Sequence, residues 1–303
     1  MIETFTRQLP HDITLSCRAA GAKGRPLMVF LHGFPEAAFI WDELLEHFAK
    51  PEHGGFRCVA PNLRGFEKSS SPAEVSAYRA HLLVQDLAEL AASEDASGRI
   101  EVLVAHDWGG AFAWGFANQH ADRLGRLVII NSPHPGTFAR ELANNPAQQA
   151  ASAYMNFLAR PDAEALLAAD DFRRMWPMFT NMKAGADGFG WLTDTVRDQY
   201  REVWSAGLTG ACNLYRVTPL KPARPGETTQ IPELPRERLT IPVPTLVLWA
   251  LDDAALLPGL LDGLEAYVPR LDVKKVPGAT HWVIHEQPQF VAGEIEAFVR
   301  RTQ

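Results

Sequence analysis

Asp107 stands in the stretch VLVAHDWGGAFAWGFA (residues 102–117), between an apolar run that ends at Ala105 and an apolar pattern with helical spacing. The order small–x–acid–x–small (Ala105, His106, Asp107, Trp108, Gly109) fits a sharp strand-to-helix reversal, which pushes the central side chain out at the carboxyl end of a sheet. The helix that follows offers backbone N–H donors and a favourable dipole to an anion. On its own, a strand–Asp–Gly–helix stretch is better explained as a helix cap. The company it keeps argues otherwise. HGFP (residues 32–35) follows an earlier apolar run, and a turn there can aim the Phe34 N–H at the same point as the Trp108 N–H, making an oxyanion hole. LWALDDAALLPG places Asp252 and Asp253 just after another apolar run, and PGATHWVIHEQP places His281 after the last one. Nucleophile, acid and histidine thus occur in chain order, each on a loop that follows a strand.

These loops need a sheet to carry them. PLMVFLH (residues 26–32), RCVAPN (57–62), IEVLVA (100–105) and RLVIIN (126–131) read as buried strands, and HLLVQDLAELAAS (81–93) as a helix between them. Continuous apolar strands alternating with helices imply a parallel sheet covered on both faces. The rhythm stops between residues 134 and 237. This segment is rich in Ala, Leu, Met and aromatics at helical spacing and loosens into the Pro-rich connector TPLKPARPGETTQIPELP. It then resumes with the strands PTLVLWA (244–250) and LDVKKVP (271–277) and an amphipathic helix at QPQFVAGEIEAFVRR. The expected organisation is one α/β core, residues 1–133 and 238–303, interrupted by a helical insertion over 134–237.

Composition narrows the function classes. Of 303 residues 47% are apolar, enough for a large core, and the net charge of −7 with no basic run argues against a nucleic-acid partner. The three cysteines, Cys17, Cys58 and Cys212, match no metal or disulfide framework. There is no signal-peptide pattern at the start and no apolar run long enough to span a membrane. The expectation is a cytoplasmic protein, a monomer or homodimer, with no cofactor and no metal.

With HGFP, AHDWGG, PNLRGFEKSSSP, NSPHP and GATHWVIHEQP in this order along nearly the whole chain, the sequence resembles the α/β-hydrolase superfamily, and within it the epoxide hydrolases and their dehalogenase relatives. The resemblance implies the α/β-hydrolase fold with an inserted helical cap. It also favours Asp253 over Asp252 as the acid that orients His281.

The identity of the nucleophile fits this. A carboxylate attacking an ester carbonyl would give a high-energy anhydride, whereas attack on a saturated carbon gives an ordinary ester. Water activated by His281 can cleave that ester, with the oxyanion hole stabilising the charge that develops. The electrophile is then an epoxide or a carbon–halogen bond. An epoxide leaves as an alkoxide and benefits from a proton donor. In this resemblance Tyr215, in the Asn-x-Tyr-Arg-like GACNLYRV, and Tyr154, in SAYMNFLARP, are the tyrosines that supply it, whereas Tyr200 fits a structural helix face. His106 is expected to support the turn, and His285 to be structural or exposed. A haloalkane dehalogenase needs a second halide donor. The usual donors are an Asn after HG, where this chain has Phe34, or a cap Trp, an option that Trp176, Trp191 and Trp204 leave open. Fluoroacetate dehalogenases carry Arg after the nucleophile and again one turn later, where this chain has Trp108 and Ala111, and a His-Trp pair where it has Tyr154 and Met155. The expected reaction is hydrolysis of a small apolar epoxide by water to a vicinal diol. Phe34, Trp108, Phe157, Trp176 and Phe179 are the expected substrate contacts. A dehalogenase, or a hydrolase fold kept only for binding, is the alternative.

Overall fold

A computed structural model describes all residues except 186, 225, 226, 228–230, 232, 233 and 303. Eight strands form a single sheet: β1 (Glu3–Gln8), β2 (Thr14–Ala20), β3 (Leu27–Leu31), β4 (Arg57–Pro61), β5 (Ile100–His106), β6 (Leu124–Ile130), β7 (Thr245–Ala250) and β8 (Leu271–Val276). Their spatial order is β1-β2-β4-β3-β5-β6-β7-β8. From β4 to β8 all neighbours are parallel, while β1 and β2 run antiparallel at one edge. Strands β3 to β8 coincide with the apolar runs to within two residues. The hairpin β1–β2 was not anticipated. It has no continuous apolar run, because β1 is exposed or half-exposed along its length and TLSCRAA in β2 mixes polar and apolar residues. That mixture is what an antiparallel edge with one wet face allows.

The helices before the insertion are α1 (Asp42–Ala49), α2 (Ala80–Glu94) and α3 (Asp107–Gln119). Between β6 and β7 come α4 (Pro135–Asn144), α5 (Pro146–Ala151), α6 (Tyr154–Leu158), α7 (Ala163–Phe172), α8 (Trp176–Thr180), α9 (Asp194–Ser205) and α10 (Thr209–Val217), and no strand among the described residues. The Pro-rich connector lies partly outside the described residues. The short α11 (Val283–Glu286) and then α12 (Pro288–Arg301) close the chain. The apolar core has two layers. One packs the α1 and α12 side of the sheet, and the other packs α2, α3 and the helical insertion.

The motif PNLRGFEKSSSP seats the insertion. Asn62 Oδ1 accepts the Ala38 N–H at 2.7 Å, and Arg64 reaches both carboxylate oxygens of buried Asp86 at 2.6 and 2.9 Å. Gly65 then touches Gly210 at the start of α10. A Cβ added to Gly210 would lie 2.3 Å from the Gly65 Cα, so only glycine lets the two backbones approach this closely. That contact fixes the height of α10, the helix that carries Tyr215, above the sheet.

Candidate active site

Strand β5 ends at His106 and α3 begins at Asp107, which has φ +48°. A residue other than glycine stays in this left-handed region only where its surroundings hold it, at a cost of about 1–3 kcal/mol. Here the Ser132 hydroxyl donates to the Asp107 carbonyl at 2.6 Å. The HGFP loop closes over the carboxylate: the Phe34 N–H donates to Asp107 Oδ1 at 2.8 Å. Gly33 makes this possible, because a Cβ there would lie 2.2 Å from that same oxygen.

His281 follows β8 and is buried. Its Nδ1 donates to Asp253 Oδ2 at 2.7 Å, and its Nε2 lies 3.7 Å from Asp107 Oδ2. Asp253, not Asp252, makes this contact; the Asp252 N–H donates instead to the Ala279 carbonyl. Asp253 is 3% exposed, and its oxygens also accept from the Ala255 N–H (2.8 Å), the Leu256 N–H (3.0 Å) and Asn131 Nδ2 (2.8 Å). Burial works to raise its carboxyl, but the charge of His281 and these donors outweigh it and hold Asp253 below its ordinary value. For His281, burial works downward, while Asp253 above all, with Asp107 and Glu36, pushes it up to about 9.

Tyr215 is almost fully buried. Its ring stands edge-on to Phe34 (centroids 5.4 Å apart), Trp108 (5.1 Å) and Tyr154 (6.1 Å). The Asn-x-Tyr-Arg stretch holds it there: Asn213 Nδ2 donates to the Ala73 carbonyl, and Arg216 pairs with Glu164 on α7. Burial pushes the Tyr215 phenol well up, and Tyr154 and Asp107 add to this. The Tyr154 phenol is also pushed well up, by burial and by the charges of Asp107 and Asp253, although the residue as a whole is 37% exposed. Both phenols are therefore protonated at neutral pH and able to donate.

Two cavities meet at Asp107, and Tyr154 and Tyr215 border both. One, of about 90 Å³, has Trp108, Phe138, Met155 and Leu256 in its walls. The other, of about 290 Å³, has Phe34, Met178, Met182, His281 and Trp282. A larger cavity of about 380 Å³ lies between the β1–β2 edge and α9, but none of Asp107, Asp253 and His281 borders it.

Three expected substrate contacts are corrected. Phe157, Trp176 and Phe179 line neither cavity. Phe179 is fully buried and packs on Tyr200 and Trp282; Trp176 lies against Trp204 beneath Arg197 and Arg201; Phe157 packs on the core from the insertion. An aromatic at helical spacing serves the interior of the insertion as readily as its mouth. The walls use methionines and Leu256 instead, whose spacing carries no chemical signal.

The sequence reading also missed a buried polar group behind the triad. Glu36, directly after HGFP, is fully buried; its Oε1 lies 2.7 Å from His285 Nε2 and accepts the Tyr200 hydroxyl at 3.0 Å. Its Oε2 lies 3.1 Å from His106 Nδ1 but out of line for a hydrogen bond. His106 Nε2 in turn donates to the His281 carbonyl at 2.9 Å. Burial works to raise Glu36, but His106 and His285 outweigh it and hold the carboxyl far below its usual range. His285 and Tyr200 thus do more than pack. No ligand cluster suited to a metal includes a triad residue among the described residues.

A nucleophile turn, an N–H cradle and an acid–histidine pair on the loops of this sheet define a hydrolase, and comparison with known proteins agrees. A family model described as alpha/beta hydrolase fold matches residues 26–288. Epoxide hydrolase 4 of Mus musculus is 32% identical over 290 residues, covering 93% of this chain and 75% of that one. Epoxide hydrolase 3 of Xenopus tropicalis is 32% identical over 301 residues, covering 98% and 77%. Among solved structures, the Bacillus megaterium epoxide hydrolase in complex with an inhibitor has a TM-score of 0.86 at 27% identity, covering 98% of this chain and all of that one. The chain belongs to the α/β-hydrolase fold family and, within it, to the epoxide hydrolases.

Proposed function

We propose that this protein opens an apolar epoxide to a vicinal diol through an ester on Asp107. The observation that carries the reading is that Asp107, cradled by the Phe34 N–H and facing His281, shares both of its cavities with Tyr154 and Tyr215. Asp107 Oδ1 rests on the Phe34 N–H, so Oδ2 attacks a ring carbon. The ring C–O bond breaks, and a tyrosine hydroxyl gives its proton to the departing alkoxide. Water then loses a proton to His281 Nε2 and attacks the ester carbonyl. Oδ1 becomes the oxyanion, held by the N–H groups of Phe34 and Trp108. The tetrahedral intermediate collapses, the departing alkoxide takes the proton back from His281 to complete the diol, the second water proton returns to the tyrosine phenolate, and Asp107 is restored as the carboxylate. In this reading residues 134–237 act as the cap that brings the tyrosines over the nucleophile, and water and the epoxide are the only partners the reaction requires. Cys17, Cys58 and Cys212 are buried free thiols, in keeping with a reducing, cytoplasmic setting.

The halide alternative loses support from the tryptophans. Trp204 Nε1 donates to the Pro35 carbonyl and Trp176 Nε1 to the Asp171 carbonyl, and neither these two nor Trp191 borders a cavity at Asp107. The test is intact mass on a His281→Gln variant, which forms the ester but hydrolyses it slowly. Styrene oxide, a bromoalkane and fluoroacetate are offered separately. An adduct on Asp107 from styrene oxide alone is the expected result. An adduct from a halide alone would reassign the reaction and remove the tyrosines from it.

A further inference from the structure

A second cluster of reactive side chains lies at the opposite edge of the sheet. His47 on α1, His53 on the turn that follows, and Glu296 on α12 bring one ligand atom each to within 4.8 Å of one another. Beside them is a cavity of about 260 Å³ bordered by Pro26, Phe56, Glu101 and Arg126, which lie at the starts of β3 to β6. Phe34, Asp107 and His281 come after strand ends, so the two sites are separated by the length of the sheet.

We propose that His47, His53 and Glu296 form a binding site for a divalent transition-metal ion, zinc in the first instance. Two imidazoles and one carboxylate are a donor set that suits zinc, which takes nitrogen and oxygen ligands at about 2.0–2.2 Å. Ligands at that distance around a tetrahedral ion stand about 3.4 Å apart. Here His53 Nδ1 lies 3.3 Å from Glu296 Oε1, and His47 Nε2 lies 3.6 Å from Glu296 Oε2. The two rings stack at 3.8 Å with 20° between their planes, each with a nitrogen against the same carboxylate, so one ring has to turn for both in-plane lone pairs to meet a single ion. His47 Nε2 is buried and makes no hydrogen bond. Its nearest charge partner is Glu296 Oε2 at 3.6 Å, a gap that an ion bound between the two atoms would close.

The three ligands come from three separate elements. An ion there would tie α1 and its following turn to the final helix, with the cavity leaving room for a water as fourth ligand. Two competitors are present: His53 Nδ1 hydrogen-bonds Glu296 Oε1 at 3.3 Å and would have to give up that proton to ligate, and Arg300 pairs with Glu296 from the next turn of α12, with a side chain that is 68% exposed.

The test uses the full-length protein stripped with a chelator and titrated calorimetrically with Zn²⁺ at neutral pH. The expected result is one ion per chain and a higher melting temperature with the metal bound. His47→Gln, His53→Gln and Glu296→Gln should each weaken binding by about tenfold or more, since even lost outer partners of a metal site cost that much. Their epoxide turnover without metal should stay at the wild-type level. Co²⁺ in place of Zn²⁺ should give the strong visible absorption of a four-coordinate ion, lost in all three variants. Absence of saturable binding would overturn the proposal, and so would variants that bind Zn²⁺ as tightly as the wild type, which would assign the ion to other surface histidines. Failure of the epoxide reading would leave this result untouched, because no residue is shared.

Discussion

Asp253 and Tyr154 both lie beside His281, yet the protein holds them in different ways. Asp253 sits on a loop of the sheet, 3% exposed, with its carboxylate taking two backbone N–H groups, an amide and the His281 imidazole. Tyr154 starts a five-residue helix of the insertion, 37% exposed, and meets the site through its ring beside Tyr215. The sheet fixes the groups that handle charge before any substrate arrives, which is where preorganisation lowers a barrier most. In the proposed reaction the insertion supplies the tyrosines that meet the substrate's own oxygen, and the more exposed Tyr154 retains room to adjust. Damage on the sheet side should therefore cost the same for every epoxide, whereas damage on the insertion side should depend on which epoxide is offered.

The largest effect tests the sheet side. Asp107→Ala removes the carboxylate proposed as the nucleophile, and we expect turnover to fall by about 10⁴-fold or more for any epoxide, with no ester by intact mass. His281→Gln leaves Asp107 and the Phe34 cradle intact. Its turnover should fall by about 10³–10⁴-fold while the ester accumulates. Loss of ester formation in His281→Gln would show that the imidazole is needed for the first step as well.

The pH profile separates the two steps. In the free enzyme burial works to lower His281, but Asp253 and Asp107 push it up to about 9. Esterification neutralises Asp107 and withdraws one of these charges, so the imidazole gives up its proton more readily in the intermediate. Single-turnover kinetics should show ester hydrolysis rising with pH and levelling off below pH 9. The same shift enters stability. A histidine whose folded value lies above its ordinary value of about 6.5 stabilises the fold fully below that pH and loses the contribution as pH rises through about 9. The melting-temperature advantage of wild type over His281→Gln should therefore shrink between about pH 6 and pH 10. A constant difference would mean that the charge of His281 plays no part in folding.

On the insertion side the effect is smaller. Tyr215→Phe and Tyr154→Phe should each slow ester formation by about 10–100-fold, at the lower end of general acid catalysis because one phenol remains. Hydrolysis of a preformed ester should be unchanged. Styrene oxide, whose benzylic carbon tolerates an early ring opening, should suffer less than an aliphatic epoxide. Equal losses for both substrates would break the contrast between the two regions.

The same contrast decides what could be read from the sequence. A nucleophile turn is a local object: small neighbours, one acid and a helix start must sit within a few residues, so Asp107 and the HGFP loop announce themselves. The buried parallel strands do so too, because both faces must be apolar. Groups joined only by the fold leave no such trace. Asn131 touches Asp253 across 122 positions, and Glu36 touches His285 across 249. Each looks like an ordinary residue in its own neighbourhood. The cavity walls are equally silent, since a methionine beside the substrate and one in the core occur at the same spacing. Phe157, Trp176 and Phe179 lie away from both cavities for that reason.

The smallest expected effect lies at the joint between the two regions. Helix α9 of the insertion reaches the HGFP loop twice: Trp204 Nε1 donates to the Pro35 carbonyl at 2.7 Å, and the Tyr200 hydroxyl donates to Glu36 at 3.0 Å. That loop also holds the Phe34 N–H on Asp107, so the oxyanion cradle is braced by the element that carries no charge chemistry of its own. Tyr200→Phe removes one donor from a buried carboxylate that keeps His285. We expect a loss of about 1–3 kcal/mol, read as a lower urea midpoint with an unchanged slope. Turnover should change by less than about tenfold, because His281 keeps its own partners. If Tyr200→Phe cost as much turnover as Tyr215→Phe while the protein stayed fully folded, the brace would be part of the chemistry, and the division between a preorganised sheet and an adjustable insertion would have to be redrawn at Glu36.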